Sequence, residues 1–361
     1  MQVEPLKVGV LIDYPAPPGT PNFIVDGLRL VLEEAVESRS IDRPVELVER
    51  SVHGLPNGSY QAVRRAYDEL VAEGCLVAFG PYVSENVVPL RDHVERVGEM
   101  AIITMAGSEG ALGEWCFALN NGSMAEEPIL LSAVLKRDGH HRIAIAYEAS
   151  LIGREYLAFS ERAYQQAGLE IVDTVAIPQV EADKVEAVDK LRSTSPDAIV
   201  HVGFGHGLWG FNAALAAADW DPPRYTTTAF EMAYINDDWL RQLIGWIGLD
   251  SFDERNEVGQ AFLDRFEKRY GRRRDYFGPC FGHDVGTVIA HGLANARPLT
   301  GEGVRDAMEG VKLIPAASGA PGTCLRFGRF IRQGWMGVDY LVARRGLPDG
   351  TIVFHATASG S

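Results

Sequence analysis

The chain has few of the residues on which redox and metal chemistry depend. It holds 4 cysteines among 361 residues, and they are too far apart to form a CxxC pair or a zinc pattern. The 9 histidines form no cluster with ligand spacing. The sequence therefore predicts no disulfide framework, no bound metal and no cofactor.

Basic residues are also scarce. Lys and Arg number 34 against 49 Asp and Glu, so the formal net charge is −15. A nucleic-acid partner requires a concentrated basic surface, and this balance argues against one. The one basic run, residues 268–274, is interpreted as a helix C-terminus capped by Gly271, where cations are favoured.

Long apolar runs are missing as well. No run reaches the ~18 residues that a membrane-spanning helix needs. Residues 1–5 lead directly into an apolar run and lack the charged and apolar regions of a signal peptide. The sequence as it stands predicts a cytoplasmic protein, whereas removal of a leader would indicate a periplasmic or cell-surface protein.

Strands and helices alternate through the first two thirds of the chain. Apolar runs at residues 6–12, 45–52 and 76–79 predict strands, and amphipathic segments between them predict helices. A similar series predicts strands at 142–147, 170–177, 198–202 and 225–229, with helices at 153–168, 184–193 and 208–218. Such series indicate parallel sheets with right-handed crossovers. We therefore expect an α/β protein with two similarly wound lobes.

The last third has a different pattern. It predicts helices at residues 254–270, 284–296 and 302–311. Two strands, at 327–332 and 338–343, are expected after them, joined by a polar turn around Gln333-Gly334.

Small polar residues follow the third and fourth strands of the first series. The run 76–79 breaks at Gly80-Pro81, and Ser84 stands where a helix begins, so Ser84 is predicted to be its N-cap. The next strand, 101–105, ends at Ala106-Gly107-Ser108. Ligands bind beyond the carboxyl ends of parallel strands, and helix N-termini attract carboxylates or phosphates.

The order of these segments resembles the type I periplasmic binding proteins, specifically the branched-chain amino acid and amide group that serves ABC importers. The resemblance covers most of the chain and depends on Asp13-Tyr14 after the first strand, Gly80-Pro81 with Ser84, the Ala106 to Ser108 turn, Ile152-Gly153, and Phe281 to Asp284. It implies two doubly wound parallel-sheet lobes joined by a three-segment hinge. The first lobe would be residues 1–121 and 253–328, the second 122–252 and 329–361, with the ligand cleft between them.

The resemblance also implies a function: non-enzymatic binding of a small organic ligand, such as an amino acid, an amide or an aromatic or apolar organic acid. An ABC permease or a regulatory protein would be the partner. Hydroxyls and backbone N–H groups would hold a carboxylate, and Glu231 an ammonium. The residues implied to meet the ligand are Tyr14, Tyr82, Ser84, Ala106, Gly107, Ser108, Ile152, Phe204, Phe230, Glu231 and Phe281. Their five aromatic rings make a bulky or aromatic ligand at least as plausible as a small aliphatic one.

Simpler roles stay open for several of these residues. Ser84 can serve as an N-cap alone, Phe281 as a core residue, and Glu231 as a carboxylate that satisfies a helix dipole. The sequence leaves these alternatives undecided.

Two enzyme hypotheses compete with this interpretation. Gly205, Gly207 and Gly210 form a GxGxxG after a predicted strand, with Glu231 about 20 residues further on, which is the spacing of a dinucleotide-dependent oxidoreductase. Against it, the motif lies mid-chain and contains the bulky Trp209. Cys280 with His283 and Asp284 also suggests an activated thiol, although a buried cysteine with Asp284 as a helix cap is the simpler interpretation.

Overall fold

The structure is a computed structural model that describes residues 4–16, 19–235, 237–271, 277–335 and 340–357. The chain forms two compact units, Met1–Asn121 with Phe252–Tyr340 and Gly122–Ser251 with Leu341–Ser361. The expected boundary at 328/329 differs from the observed one. The segment after it stays with the first unit because Ala118 N–H donates to the carbonyl of Arg332, and the indole of Trp335 donates to the carbonyl of Asn120.

The first unit contains a five-stranded parallel sheet. Its strands are β1 (Leu6–Ile12), β2 (Val45–Ser51), β3 (Val77–Phe79), β4 (Ala101–Thr104) and β5 (Cys116–Ala118), in the order β2-β1-β3-β4-β5. The crossovers include α1 (Phe23–Glu37), α2 (Tyr60–Ala72) and α3 (Ser84–Val97). Asn22 and Ser59 cap the first two helices by accepting the N–H groups of Val25 and Ala62. This is the expected βαβ series, with buried central strands.

The second unit repeats this winding in a larger sheet. Helix α4 (Glu127–Arg137) precedes β6 (Arg142–Glu148). The elements that follow are, in order, α5 (Leu151–Ala167), β7 (Glu170–Ile177), α6 (Val185–Ser193), β8 (Ala198–Val202), α7 (Phe211–Ala217), β9 (Arg224–Thr226), α8 (Asp237–Gln242) and β10 (Trp246–Asp250). Strands β6 to β10 pair in parallel in the order β10-β9-β8-β6-β7. All five residues of β8 and of β10 are buried.

Two expected elements of this unit are shorter in the structure. The helix expected over 208–218 begins at Phe211, because a 3-10 turn over His206–Leu208 and Gly210, at φ 95°, precede it. The strand expected over 225–229 ends at Thr226, because the Thr228–Ile235 segment turns into a 3-10 helix.

The chain then returns to the first unit with α9 (Glu257–Tyr270), α10 (Phe277–Asn295), α11 (Gly301–Met308) and the short pair β11 (Ile314–Pro315) and β12 (Cys324–Leu325). Gly271 caps α9 in the left-handed region, as predicted; residues 272–274 of the basic run lie outside the described residues. Helix α10 packs closely on α1: a Cβ on Gly282 would stand 2.1 Å from the carbonyl oxygen of Ile24. The described helices include none that is long and apolar enough to cross a membrane.

The tail differs from the sequence-based expectation. The predicted strand over 327–332 is wrong: Gly328 and Ile331 exchange backbone hydrogen bonds of 3.0 Å, so the chain reverses at Arg329-Phe330. The next strands are β13 (Val342–Gly346), antiparallel to β10, and β14 (Ile352–Ala356), antiparallel to β13. Of the strand expected over 338–343, residues 338 and 339 lie outside the described residues.

Candidate functional site

A buried carboxylate organises the loop after β3 in the first unit. Asp13, which directly follows β1, is fully buried, and its oxygens accept the N–H groups of Tyr82 (2.7 Å) and Val83 (3.2 Å) and the amide of Asn86 (2.7 Å). Burial raises the pKa of Asp13 to about 6, although these three donors act in the opposite direction. The carboxylate therefore holds the loop that carries Tyr82 and Ser84.

The same contact explains why Ser84 is not the N-cap of α3. Val83 occupies the cap position, Ser84 is the first helical residue, and the cap makes no side-chain hydrogen bond. Asp13 accepts the Val83 N–H instead. The predicted N-cap role of Ser84 is therefore wrong, and its hydroxyl lies at a helix N-terminus that no cap side chain closes.

The loop after β4 lies against the loop after β3. The hydroxyl of Thr104 donates to the carbonyl of Pro81 (2.6 Å) and accepts the N–H of Ala106 (3.0 Å). Ser108 caps the following 3-10 turn by accepting the N–H of Gly110 (3.2 Å). The structure thus brings the two loops that carry Tyr82 and Ala106 together at one edge of the first sheet.

The aromatic candidates of the first unit differ in exposure. Tyr14 is partly exposed, and its hydroxyl accepts the amide of Asn57 (3.2 Å). The ring of Tyr82, also partly exposed, packs 5.1 Å from that of Phe79. Phe281 is fully buried, and its ring centroid lies 6.3 Å from that of Phe79. Its surroundings are those of a core residue, whereas both tyrosines have accessible surface.

The second unit contains a matching carboxylate. Glu148, the last residue of β6, is fully buried and accepts the N–H groups of Phe204 (2.9 Å), Gly205 (3.1 Å) and Gly207 (2.9 Å). His201 Nε2 lies 3.4 Å from the same carboxylate. In each unit, therefore, an acid at the end of the first strand holds the loop that follows the third strand.

This geometry accounts for two glycines in and next to the GxGxxG segment. A Cβ on Gly207 would stand 2.7 Å from Cγ of Glu148, and one on the preceding Gly203 would stand 2.2 Å from its Cδ. The backbone N–H groups that would cradle a pyrophosphate in a dinucleotide site are bound to a carboxylate, which would repel phosphate. Of the motif glycines, Gly207 accommodates Glu148, while Gly205 and Gly210 adopt positive φ angles of 126° and 95°. The oxidoreductase alternative loses its structural basis, because Glu148 occupies the N–H groups of this loop.

Glu231 lies in a buried acidic group of the second unit. It is 1% exposed, and one oxygen accepts the N–H (2.8 Å) and the hydroxyl (2.7 Å) of Ser251. Burial, and then the neighbouring Asp250 carboxylate, raise the pKa of Glu231 well above its usual range. The other oxygen, Oε2, has no hydrogen-bond partner among the described residues. These surroundings favour the neutral form of Glu231.

Asp250, by contrast, lies among donors. The hydroxyl of Tyr234 donates to it, and the Nε of Arg344 lies 3.6 Å from its Oδ2. Asp250 is therefore held by a hydroxyl donor and lies within ion-pair distance of an arginine.

A further buried acid, Glu127, lies in the first turn of α4. It accepts the N–H (2.8 Å) and hydroxyl (3.1 Å) of Thr228 and the hydroxyl of Tyr156 (2.5 Å). Burial raises the pKa of Glu127 to about 7. It joins the start of α4 to the segment that carries Glu231.

The remaining candidates of the second unit are spread between surface and core. Phe204 is partly exposed and lies next to His206, with ring centroids 5.6 Å apart. Ile152, in the first turn of α5, is 3% exposed. Phe230 is fully buried and packs against β10. A Cβ on Gly248, a residue of β10, would stand 2.1 Å from the ring of Phe230. Phe230 therefore fills the space that Gly248 leaves.

The family follows from the whole chain. A family model described as periplasmic binding protein matches residues 5–338. The chain belongs to the periplasmic binding protein family.

Solved structures agree with this fold. A periplasmic binding protein type 1 from Bordetella pertussis Tohama I matches with a TM-score of 0.83 at 15% identity, over 98% of this chain and 100% of that one. An ABC transporter substrate-binding protein from Desulfitobacterium hafniense in complex with Leu has a TM-score of 0.79 at 17% identity (98% and 100%). A solute-binding protein from R. palustris in complex with benzoate has a TM-score of 0.76 at 16% identity (98% and 96%). No curated protein matches in sequence.

The thiol hypothesis does not fit this periplasmic binding protein. Cys280 is fully buried within α10. Asp284 does not cap a helix, as the sequence suggested, because α10 begins at Phe277; its carboxylate accepts the N–H groups of Ala317 (2.7 Å) and Ser318 (2.9 Å). Asp284 therefore fixes a loop of the first unit.

Sequence reasoning missed the structural acids of this periplasmic binding protein. Glu148 and Glu127 were not among the candidates, and Asp13 was noted only as part of the resemblance. One signal was available: an acidic residue directly at the end of an apolar strand, as at Asp13 and Glu148, must be buried with donors around it.

Proposed function

We propose that this chain is a non-enzymatic solute-binding protein that encloses a small organic acid by closing its two units around it. The observation that carries the proposal is the repeated loop architecture. Asp13 fixes the loop after β3, and Glu148 fixes the loop after β8. Both loops lie at the carboxyl ends of parallel strands, where α/β proteins bind ligands, and rigid loops lower the entropic cost of binding.

The ligand we propose carries a carboxylate. The Asp13 carboxylate accepts the N–H groups of Tyr82 and Val83 just before helix α3, so the group of this loop that we propose for a ligand carboxylate is the Ser84 hydroxyl, in the first residue of the helix. The hydroxyls of Ser84 and Ser108 lie at the starts of the two helical segments after β3 and β4. Two similar structures hold Leu and benzoate, which share a carboxylate. These features support a carboxylate held by the first unit.

The rest of the ligand is, we propose, apolar and without an ammonium group. Glu231, the residue implied to hold an ammonium, has a raised pKa and accepts two hydrogen bonds from Ser251. A neutral carboxyl group gives an ammonium little Coulombic stabilisation. The partly exposed rings of Tyr14, Tyr82 and Phe204 supply apolar contact area instead. An aromatic or apolar organic acid therefore fits better than a zwitterionic amino acid.

A thermal-shift screen of benzoate, other aromatic acids, leucine and isoleucine, followed by calorimetric titration, tests the proposal. Ser84→Ala and Ser108→Ala should each weaken a carboxylate ligand by about 1–3 kcal/mol. The matched control is Ser38→Ala, a change in an exposed residue at the end of α1. If Ser84→Ala and Ser108→Ala bind the carboxylate ligand as tightly as the control does, these hydroxyls do not contact the ligand.

Two further variants test the chemistry of the part of the ligand beyond its carboxylate. Glu231→Gln should leave benzoate affinity nearly unchanged, whereas an amino acid bound through its ammonium would lose affinity strongly. Tyr82→Ala should weaken an aromatic acid more than an aliphatic one, because only the aromatic ring stacks. Tight binding of leucine that Glu231→Gln abolishes would favour the amino acid instead.

Delivery to an ABC permease and sensing by a regulatory partner both start from the same closed complex. Uptake of the radiolabelled ligand by cells that lack the gene separates them: reduced uptake supports transport, and normal uptake supports sensing.

A further inference from the structure

The second unit has a pocket at the edge of its sheet opposite to the one described above. The pocket has a volume of about 590 Å³ and is lined from both sides by the beginnings of β9 and β10 and the end of β13. The beginnings of β9 and β10 are the amino ends of parallel strands, and β13, which is antiparallel to β10, ends at the same edge. The five residues of β10 separate this edge from the carboxyl-end edge, a span of roughly 16 Å at 3.3 Å per residue.

Four nitrogen-bearing side chains line this pocket: Arg224, Arg345, His140 and His355. Arg345 is exposed near the end of β13. Arg224 lies flat against Gly245, where a Cβ would stand 2.1 Å from Nη2, and that Nη2 donates to the carbonyl of Ile244 (3.3 Å). The ring of His140 packs edge-on against Tyr225, with centroids 5.7 Å apart. The backbone therefore fixes Arg224, while Arg345 is accessible from solvent.

The acids of the pocket are either neutralised or exposed. Asp138 accepts the hydroxyl of Tyr225 (2.8 Å), Nε2 of His355 (2.9 Å) and two nitrogens of Arg137 (3.0 and 3.2 Å). Asp221 pairs with Arg224 at 2.5 Å, but its side chain is 90% exposed, so an incoming anion can replace it at little cost. The charged lining thus consists of two arginines, of which Arg345 is exposed, and two aspartates, of which Asp138 is held by donors and Asp221 is open to solvent.

The remaining wall is apolar and stiff. Pro222, Pro223, Leu347 and Pro348 line the pocket beside the arginines. Proline rings have a fixed backbone φ and provide a surface that loses little entropy when a flat ligand covers it. The volume falls in the range of small-molecule sites.

We propose that this pocket is a second binding site, for a small organic anion that presents a phosphate or carboxylate to Arg224 and Arg345 and lays an apolar body on the proline wall. The site is separate from the solute site proposed at the carboxyl ends of the strands. Its arginines provide the planar donor geometry that oxyanions prefer.

Calorimetric titration of the full chain with phenyl phosphate tests the proposal. Inorganic phosphate and benzyl alcohol serve as comparison probes for the anion alone and the ring alone. We expect saturable binding of phenyl phosphate, weaker binding of inorganic phosphate and none of benzyl alcohol. Arg345→Gln and Arg224→Gln should each weaken phenyl phosphate roughly ten-fold or more, since each removes a charge-assisted hydrogen bond. Arg154→Gln, in an exposed residue of α5, should leave it unchanged.

Three outcomes would overturn the proposal. The first is no saturable binding of phenyl phosphate to the native protein. The second is equal affinity in Arg345→Gln, whose exposed position leaves folding intact even where Arg224→Gln does not fold. The third is a loss of affinity in Ser84→Ala but not in Arg345→Gln, which would place the anion at the carboxyl-end edge.

Discussion

The buried carboxyl of Glu127 links the stability of the second unit to pH. Its pKa is about 7 in the folded protein against 4.5 when exposed, because burial disfavours the charge. A raised folded pKa means that the stability contribution is fully present below pH ~4.5 and is lost as the pH rises through ~7. The difference of about 2.5 units corresponds to about 3 kcal/mol, most of it lost by pH ~8.

Glu127→Gln should remove this dependence. The carbonyl oxygen of glutamine can accept the Thr228 N–H, which Oε2 of Glu127 accepts in the native protein, and its amide nitrogen can donate to the oxygen of the Tyr156 hydroxyl. Glutamine does not ionise. We expect the variant to match the native protein within about 1 kcal/mol at pH 5 and to exceed it by about 2–3 kcal/mol at pH 8. Urea unfolding followed by circular dichroism and tryptophan fluorescence, at one-unit steps from pH 5 to 8, measures the difference.

The comparison cancels the contribution of Asp13, whose pKa is raised to about 6 and which loses stability in both proteins as the pH rises. The Glu127 charge contributes to the raised pKa of Glu231, so its removal in the variant adds to the gain expected at high pH. Glu186→Gln, in an exposed residue of α6, is the matched control and should show a constant difference. A Glu127→Gln difference that is equally flat would refute the reasoning, because Glu127 would then ionise alike in both states.

Three more substitutions test the packing of the loops, each by urea unfolding. Gly203→Ala should destabilise the protein by about 2 kcal/mol or more, because its Cβ would overlap Glu148; a loss below 0.5 kcal/mol would contradict the Glu148 cradle. Asp284→Asn should cost about 2–4 kcal/mol, since one of two buried backbone donors loses its acceptor, and wild-type stability would show that water replaces it. Gly271→Ala should cost about 1 kcal/mol through its positive φ of 68°, and a stabilised variant would contradict the left-handed cap.

The strands were predictable because their composition leaves little choice. The bounds of β1, β7 and β8 are those that the apolar runs indicated. The runs of β1 and β8 are typical of strands covered on both faces, whereas β7 lies at the edge of its sheet and is mostly half-buried. The tail was not predictable, since Gly328 and Ile331 lie within a run that alternates like a strand, and the turn between them depends on backbone pairing.

The roles of the buried acids were beyond sequence reasoning for a different reason. Asp13 and Tyr82 are 69 positions apart, and Glu148 and Phe204 are 56 apart. A local pattern cannot show which distant N–H groups a carboxylate meets. The ligand roles derived from the resemblance stay predictions, and the burial of Phe230 and Phe281 gives both a packing role of their own.

The side chain of Glu148 occupies space that is free only because positions 203 and 207 are glycines. In a descendant with alanine at position 148, the space and the backbone donors would be released together, and side chains could enter at positions 203 and 207. Substitutions at these sites are therefore expected to be correlated among relatives. A glycine-rich signature can thus record the size of a neighbouring side chain, and searches that equate it with nucleotide binding will misassign such proteins.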